Sequence, residues 1–176
     1  QSIGALASPT STVEEFFLLQ KLVRALGSGN VDHRLRQRDF SDDADAPLFP
    51  YIGLPIRELE TVDAALLIGS NIRKDQPLLG LRLRKAFLRD AALFAVNPVD
   101  YDFSFDLKAK VIIDPAAMPA TLARIARVLA ESTGASLPSE VATLAGGTPS
   151  DAERAMATGL KAANIASVLV GNFAMA

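Results

Sequence analysis

"DAALLIGSNIRKDQPLLGLRLRKAFLRDAALFAVNP", residues 63–98, decides the fold. Its first run, Ala64 to Ile68, is short, continuous and apolar. Gly69 ends it and Ser70 and Asn71 are turn residues, so it reads as a strand buried on both faces. Pro77 then stands in the first turn of a helix, where its missing N–H is one that the helix leaves unbonded anyway. Leu79, Leu83, Ala86 and Phe87 recur at helical spacing as an inner stripe, with Arg82, Lys85 and Arg89 turned outward. "AALFAVNP" is a second buried strand, stopped by Asn97 and Pro98.

The same rhythm runs outward in both directions. Upstream, Ile3 to Ser8 reads as a strand, followed by the helix "STVEEFFLLQKLVRALG". Ser11 with Glu14, or Thr12 with Glu15, has capping-box spacing; Phe16, Leu19, Val23 and Leu26 share a face, and Gly27 supplies the left-handed stop. "SDDADAPLFPYIGLP" is an irregular connection and "IRELETV" a helical turn or two. Downstream come a strand in "AKVIID" and the helix "MPATLARIARVLAEST", with Leu122, Ile125, Ala126 and Leu129 inward and Gly134 as its stop. A short helix in "LPSEVATLAGG" follows, then a helix opened by Thr148 as cap with Pro149 in its first turn, and a last strand in "NIASVLVGN". Apolar strands separated by helices predict a Rossmann-like α/β domain: a mainly parallel sheet with helices on both faces. The expected organisation is one α/β domain over 1–176, with a first strand–helix unit and irregular loop at 1–60 and a βαβ core at 61–176. The chain opens at Gln1 and ends on "NFAMA" just after a strand-like run, so it reads as a fragment of a longer polypeptide.

Composition narrows the chemistry. With 49% hydrophobic and 22% charged residues among 176, the chain can build a real core. A net charge of -2 argues against general nucleic-acid binding. Having no cysteine, it has no disulfide, thiolate metal site, iron–sulfur ligation or cysteine nucleophile of its own. One histidine makes no multi-histidine zinc site, and no apolar run is long enough to span a bilayer, so no direct membrane insertion is expected.

No dinucleotide fingerprint or Walker loop occurs. In parallel sheets ligands gather at the carboxyl ends of strands, which singles out Gly69, Ser70 and Asn71, the loop from Asn97, and Gly171 with Asn172. Glycine allows close approach to the backbone, while serine and asparagine offer hydrogen bonds. "GSGNVDHRLRQRDF", residues 27–40, gathers the single histidine, His33, with Arg34, Arg36 and Arg38 spaced two apart. An extended segment would point those arginines to one side, where they could hold a phosphate or an acidic partner, or pair with Asp39, Asp42, Asp43 and Asp45. Interface or intrachain pairing is favoured over ligand binding, and these three with His33 are the interface candidates. Asp75, Asp100, Asp102 and Asp106 lack metal-loop spacing and are taken as turn residues. No catalytic residue and no metal ligand is expected.

"LASPTSTVEEFFLLQKLVRALGSGNVDHRLRQRDF" together with residues 63–98 resembles the large iron–sulfur subunit of proton-pumping NADH:quinone oxidoreductase, respiratory complex I. The C-terminal part of that subunit is similar to the molybdopterin oxidoreductase family, which includes formate dehydrogenases. The resemblance implies a scaffold role without a cofactor in this stretch, with iron–sulfur clusters in an N-terminal region that it lacks. It further implies partners among the other subunits of the peripheral arm, at the cytoplasmic face of the bacterial inner membrane. By the same resemblance Gly69, Ser70, Asn71 and Asn97 are vestiges of a pterin site. Asn97-Pro98-Val99 stands where active members carry Asp-Pro-Arg, and Arg73 where many molybdenum enzymes place a proline or small residue. The alternatives are the cofactor-binding domain of a molybdopterin-dependent oxidoreductase and the central domain of a thiamine- or nucleotide-binding enzyme.

Overall fold

The computed structural model describes residues 3–8, 10–33 and 53–174. The chain divides into two compact units, residues 1–45 and 46–175.

The first unit is a minimal strand–helix–strand turn. β1 (Ala5–Leu6) and β2 (Val31–Asp32) pair in parallel, and α1 (Val13–Ala25) connects them. Of the two caps the spacing allowed, Thr12 with Glu15 forms: the hydroxyl accepts from the Glu15 amide and the carboxylate accepts from the Thr12 amide at 2.7 Å. At the other end the Ser28 N–H reaches the Val23 carbonyl and the Gly27 N–H the Arg24 carbonyl. That paired closure needs a left-handed residue, and Gly27 provides it at φ 82°.

The second unit holds the sheet. β3 (Ala64–Ile68), β4 (Ala92–Asn97), β5 (Ala109–Ile112) and β6 (Ala166–Val170) lie in the order β5-β4-β3-β6, all parallel. Every residue of β3 is buried, as a central strand covered on both faces must be. Its alternate side chains enter two separate cores. Ala65 and Leu67 pack with Leu59, Val62, Leu83 and Ala86 beneath a 3-10 turn (Ile56–Thr61) and helix α3 (Pro77–Phe87). Ala64, Leu66 and Ile68 join Phe94, Val96, Met118, Ile125 and Met156 beneath helices α4 (Met118–Thr133) and α6 (Asp151–Ala162). Both edge strands alternate instead: β6 buries Ser167 and Leu169 and leaves Val168 and Val170 exposed.

Three differences from the sequence reading have local causes. A short helix, α2 (Ile72–Asp75), interrupts the turn before Pro77 because Ile72 is drawn into the core. The last helix is capped by Ser150, not Thr148: Ser150 and Glu153 complete a capping box and leave Pro149 before the cap. Among the inward residues expected on α4, Ile125 is buried while Leu122, Ala126 and Leu129 are half-buried. Between α4 and α6, α5 (Ser139–Leu144) is short, as expected, and Arg127 of α4 donates to the Ala145 and Gly147 carbonyls that follow it.

Gly159 sets how closely α6 approaches the sheet. A Cβ built there would overlap Cζ of Phe94, which is fully buried, and lie 2.9 Å from Cε2 of the same ring. Gly159→Ala should therefore lower unfolding free energy by about 2 kcal/mol, the usual cost of overpacking, despite alanine's better helix propensity. Chemical denaturation of the two proteins measures it.

Candidate functional site

The order of strands reverses between β3 and β6, since β3 leads to β4 on one side while β6 returns on the other. At such a point the loops above two adjacent strands part and leave a crevice. Gly69 and Gly171 end those two strands, so the sequence-predicted positions stand at the place where the topology puts a ligand.

The chain's own backbone fills that place. Gly171 donates to the Ile68 carbonyl at 2.7 Å, and Phe173 donates to the Gly69 carbonyl at 3.1 Å. A 3-10 turn, Asn172–Ala174, is thereby laid on Gly69. A Cβ at Gly69 would fall 2.6 Å from the Ala174 nitrogen, and one at Gly171 would fall 2.5 Å from the Gly69 oxygen. Tyr101 stacks on Phe173 with centroids 6.5 Å apart.

Ser70 and Asn97 also come together, the Asn97 side chain bonding the Ser70 backbone. The Ser70 N–H donates to Asn97 Oδ1 at 2.8 Å, and Asn97 Nδ2 donates to the Ser70 carbonyl at 3.2 Å. Asn97 is 1% exposed, so this amide is an internal brace between the ends of β3 and β4. Asn71 stands half-buried at the start of α2 and makes no side-chain capping bond. Asn97→Ala would strand the Ser70 amide without a partner. The expected loss is about 2 kcal/mol of stability, since an unsatisfied buried donor forfeits its solvation. Urea denaturation gives the value, and faster hydrogen exchange at the Ser70 amide locates it.

Beside this brace runs a segment the sequence reading missed. Tyr101, Phe103, Phe105 and Leu107 face inward while Asp102, Ser104, Asp106 and Lys108 are exposed. The stretch is a period-two crossover from β4 to β5, with Phe103 and Phe105 stacked at 5.4 Å. The alternation of "YDFSFDLK" was the available signal. A cavity of about 520 Å³ lies against it, lined by Asp100, Tyr101, Asp102, Phe105, Asp106 and Lys110 among others. Two of its acids are paired: Lys110 holds Asp100 at 2.6 Å and Arg73 holds Asp102 at 2.7 Å. Among the described residues no group of three or more His, Cys, Asp or Glu could hold a metal ion.

In the first unit His33 is exposed. Its ring meets Phe16 edge-on at 5.8 Å and its backbone N–H donates to Asp32 Oδ1 at 2.6 Å. The Ser28 hydroxyl and the Asn30 side-chain amide both donate to the Ile3 carbonyl, at 2.5 and 3.4 Å. That loop ties β2 to β1. Arg34, Arg36 and Arg38 lie outside the described residues.

A parallel sheet wrapped by helices on both faces, with its glycine-marked strand ends gathered at a point of reversal, defines a Rossmann-like α/β protein. The chain belongs to the molybdopterin oxidoreductase family, whose model matches residues 1–138. It is 34% identical over 91 residues to a probable oxidoreductase of Bacillus subtilis (strain 168), covering 48% of this chain and 9% of the relative. It is 30% identical over 107 residues to the 75 kDa subunit of the NADH-ubiquinone oxidoreductase of Reclinomonas americana, covering 50% of this chain and 14% of the relative. An NADH-quinone oxidoreductase subunit of Rickettsia conorii is 33% identical over 115 residues, which cover 61% of this chain and 17% of the relative. A formate dehydrogenase subunit alpha of Methanocaldococcus jannaschii is 30% identical over 100 residues, covering 54% and 15%. The chain thus spans between 9% and 17% of the length of these relatives.

The family name implies a pterin cofactor, and the strand ends do not fit one as they stand. The space above Gly69 is taken by residues 171–174, and the Asn97 side-chain amide is spent on the Ser70 backbone. The closing turn lies beyond the residues that the family model matches.

Proposed function

We propose that this chain is a structural α/β domain within the large iron–sulfur subunit of an NADH:quinone oxidoreductase, holding the shape of a peripheral arm through which electrons pass to quinone. The observation that carries this reading is the crevice above Gly69, occupied by the Gly171–Ala174 backbone. The similarity to the Reclinomonas and Rickettsia oxidoreductase subunits supports it. On this reading the two units belong to one domain of a longer polypeptide, and the iron–sulfur clusters are held elsewhere in it. The partners are other subunits of the complex, on the cytoplasmic side of the bacterial inner membrane. Among the described residues no helix is long and apolar enough to cross a membrane. Gly69, Ser70, Asn71 and Asn97 then serve packing, with His33 and the arginines after it as an interface.

A second reading, a domain of a molybdopterin-dependent enzyme, draws on the similarity to the formate dehydrogenase subunit. Metal and pterin analysis of the purified full-length protein separates the two. The scaffold reading expects iron without stoichiometric molybdenum, tungsten or pterin. One pterin per polypeptide would overturn it.

A further inference from the structure

The sheet is defended at one edge and bare at the other. β5 has four residues, carries Lys110, and keeps Ala109 and Val111 half-buried against the core beneath α4 and α6. β6 has five residues and lacks the charge or proline that keeps a true edge strand from pairing. Its backbone is open on the outer side. The Gly171 N–H bonds the Ile68 carbonyl and the Ile165 carbonyl accepts from the Asp63 N–H, so the odd-numbered residues turn toward β3. By alternation Ala166, Val168 and Val170 turn their N–H and C=O groups away, where the strand order of the described residues ends. The strand is also bare on one face. Val168 and Val170 stand in register with Leu66 and Ile68, whose side chains lie in the core beneath α4 and α6. Those helices stop short of β6, and both valines are 53% exposed. On the α3 face Ser167 and Leu169 are buried. A parallel strand is normally covered on both faces.

Which face is bare decides what belongs there. From β3 to β4 the chain crosses by α3 on one face; from β5 to β6 it returns in the opposite direction by α4 and α6 on the other. Opposite directions on opposite faces are the same hand, and parallel crossovers are right-handed almost without exception. A strand reached onward from β6, on its free side, therefore brings its helix to the α4 and α6 face, over Val168 and Val170. A strand set there from before β3 would cross on the α3 face and leave the valines in water. A second copy meeting this edge about a two-fold axis would run antiparallel and present an equally bare β6. A strand of a different polypeptide has no connection to β6, so no crossover rule would bring a helix to that face. Length is no obstacle, since the chain spans only 9% to 17% of its relatives. We infer that β6 is an interior strand of a larger sheet. A helix and then a strand of the same polypeptide, C-terminal to residue 176, cover Val168 and Val170 and pair in parallel with Ala166–Val170. This goes beyond both readings of function and is independent of whether a pterin is bound.

The test uses the full-length protein. Benzoylphenylalanine is placed at Val168, and separately at Val170, and photo-activated in the cells that make the protein; mass spectrometry identifies the attached peptide. The expected product keeps the mass of one polypeptide. It joins position 168 or 170 to a segment beyond residue 176 that has apolar residues at three- and four-residue intervals. In the unsubstituted protein the Val168 and Val170 amides should exchange hydrogen roughly a hundredfold more slowly than unstructured amides, as an interior ladder requires. A cross-link to any other segment of the chain, to a second copy, to another protein or to lipid overturns the inference, and so does the absence of one. Exchange at those two amides as fast as in an unstructured chain overturns it even where the cross-link forms.

Discussion

Gly69→Ala is expected to lower unfolding free energy by about 3 kcal/mol, and Gly171→Ala by a similar amount, each a more than hundredfold shift in the folding equilibrium. Two causes act at Gly69. Its φ of 56° is left-handed, which disfavours any side chain by roughly 1 kcal/mol. Its added methyl would also stand 2.6 Å from the backbone nitrogen of Ala174. Backbone cannot swing aside as a side-chain tip can, so the Asn172–Ala174 turn would have to lift. At Gly171 the obstruction is the Gly69 oxygen and Ser70 Cα, each at 2.5 Å. Gly134 provides the comparison that separates the causes. It is also left-handed, at φ 74°, yet nothing lies within 4 Å of its Cβ direction. Gly134→Ala should therefore lose only about 1 kcal/mol. Denaturant midpoints for the three variants measure the series. Equal losses at positions 69 and 134 would mean that the strand-end crevice is not packed shut. Hydrogen exchange adds a local readout: the Gly171 and Phe173 amides should lose protection in Gly69→Ala before the β3 amides do.

The sequence made strand positions legible because continuous apolar runs and their glycine or Asn-Pro stops leave little choice. β3 and β4 fall inside the runs read from residues 63–98, and Pro77 stands at the first position of α3 as its lost N–H requires. The strand-end residues were also identifiable as a group. What they do there was not, because Gly-Ser-Asn after a strand has the same letters whether a ligand or the chain itself lies above it. Only three-dimensional closeness distinguishes these: Asn97 lies 27 residues from Ser70, and Phe173 much farther along. The β4–β5 crossover escaped for another reason. Its acids suggested turns, while the alternating aromatics between them were the informative half of the pattern. The capping of α6 shows a competition between two rules. Pro149 favours a start at Thr148, but the reciprocal bonds of Ser150 and Glu153 satisfy two amides at once.

Glu153 has the largest expected effect outside the crevice. It is 2% exposed, and its Oε1 accepts from Arg124 Nη2 at 2.6 Å and Nε at 3.0 Å, while Oε2 accepts from the Ser150 amide at 2.6 Å. Arg124 also donates to Thr121, so one carboxylate joins the middle of α4 to the start of α6. Glu153→Ala leaves Arg124, whose side chain is 18% exposed, without its counter-charge and removes half of the capping box. A loss of about 3 kcal/mol is expected, the lower end for a broken buried pair because the arginine can still reach water. Replacing both partners, Glu153→Gln with Arg124→Met, should lose much less than the two single changes added together, since no uncompensated charge remains. The same site sets an acid limb. Burial raises the Glu153 pKa, but the Arg124 hydrogen bonds and the Ser150 amide outweigh it and hold the group below its ordinary 4.5. Unfolded, the carboxyl binds a proton at higher pH than it does folded. Its contribution is therefore complete above about pH 4.5 and is lost as pH falls through the lower folded-state value. Glu60 is lowered by Arg82 and Lys85 and adds in the same direction. Stability of the wild-type protein should decline more steeply below pH 4.5 than that of Glu153→Gln, with the Glu60 share of the slope retained in both. Parallel acid limbs in the two proteins would show that Arg124 does not hold Glu153 ionised.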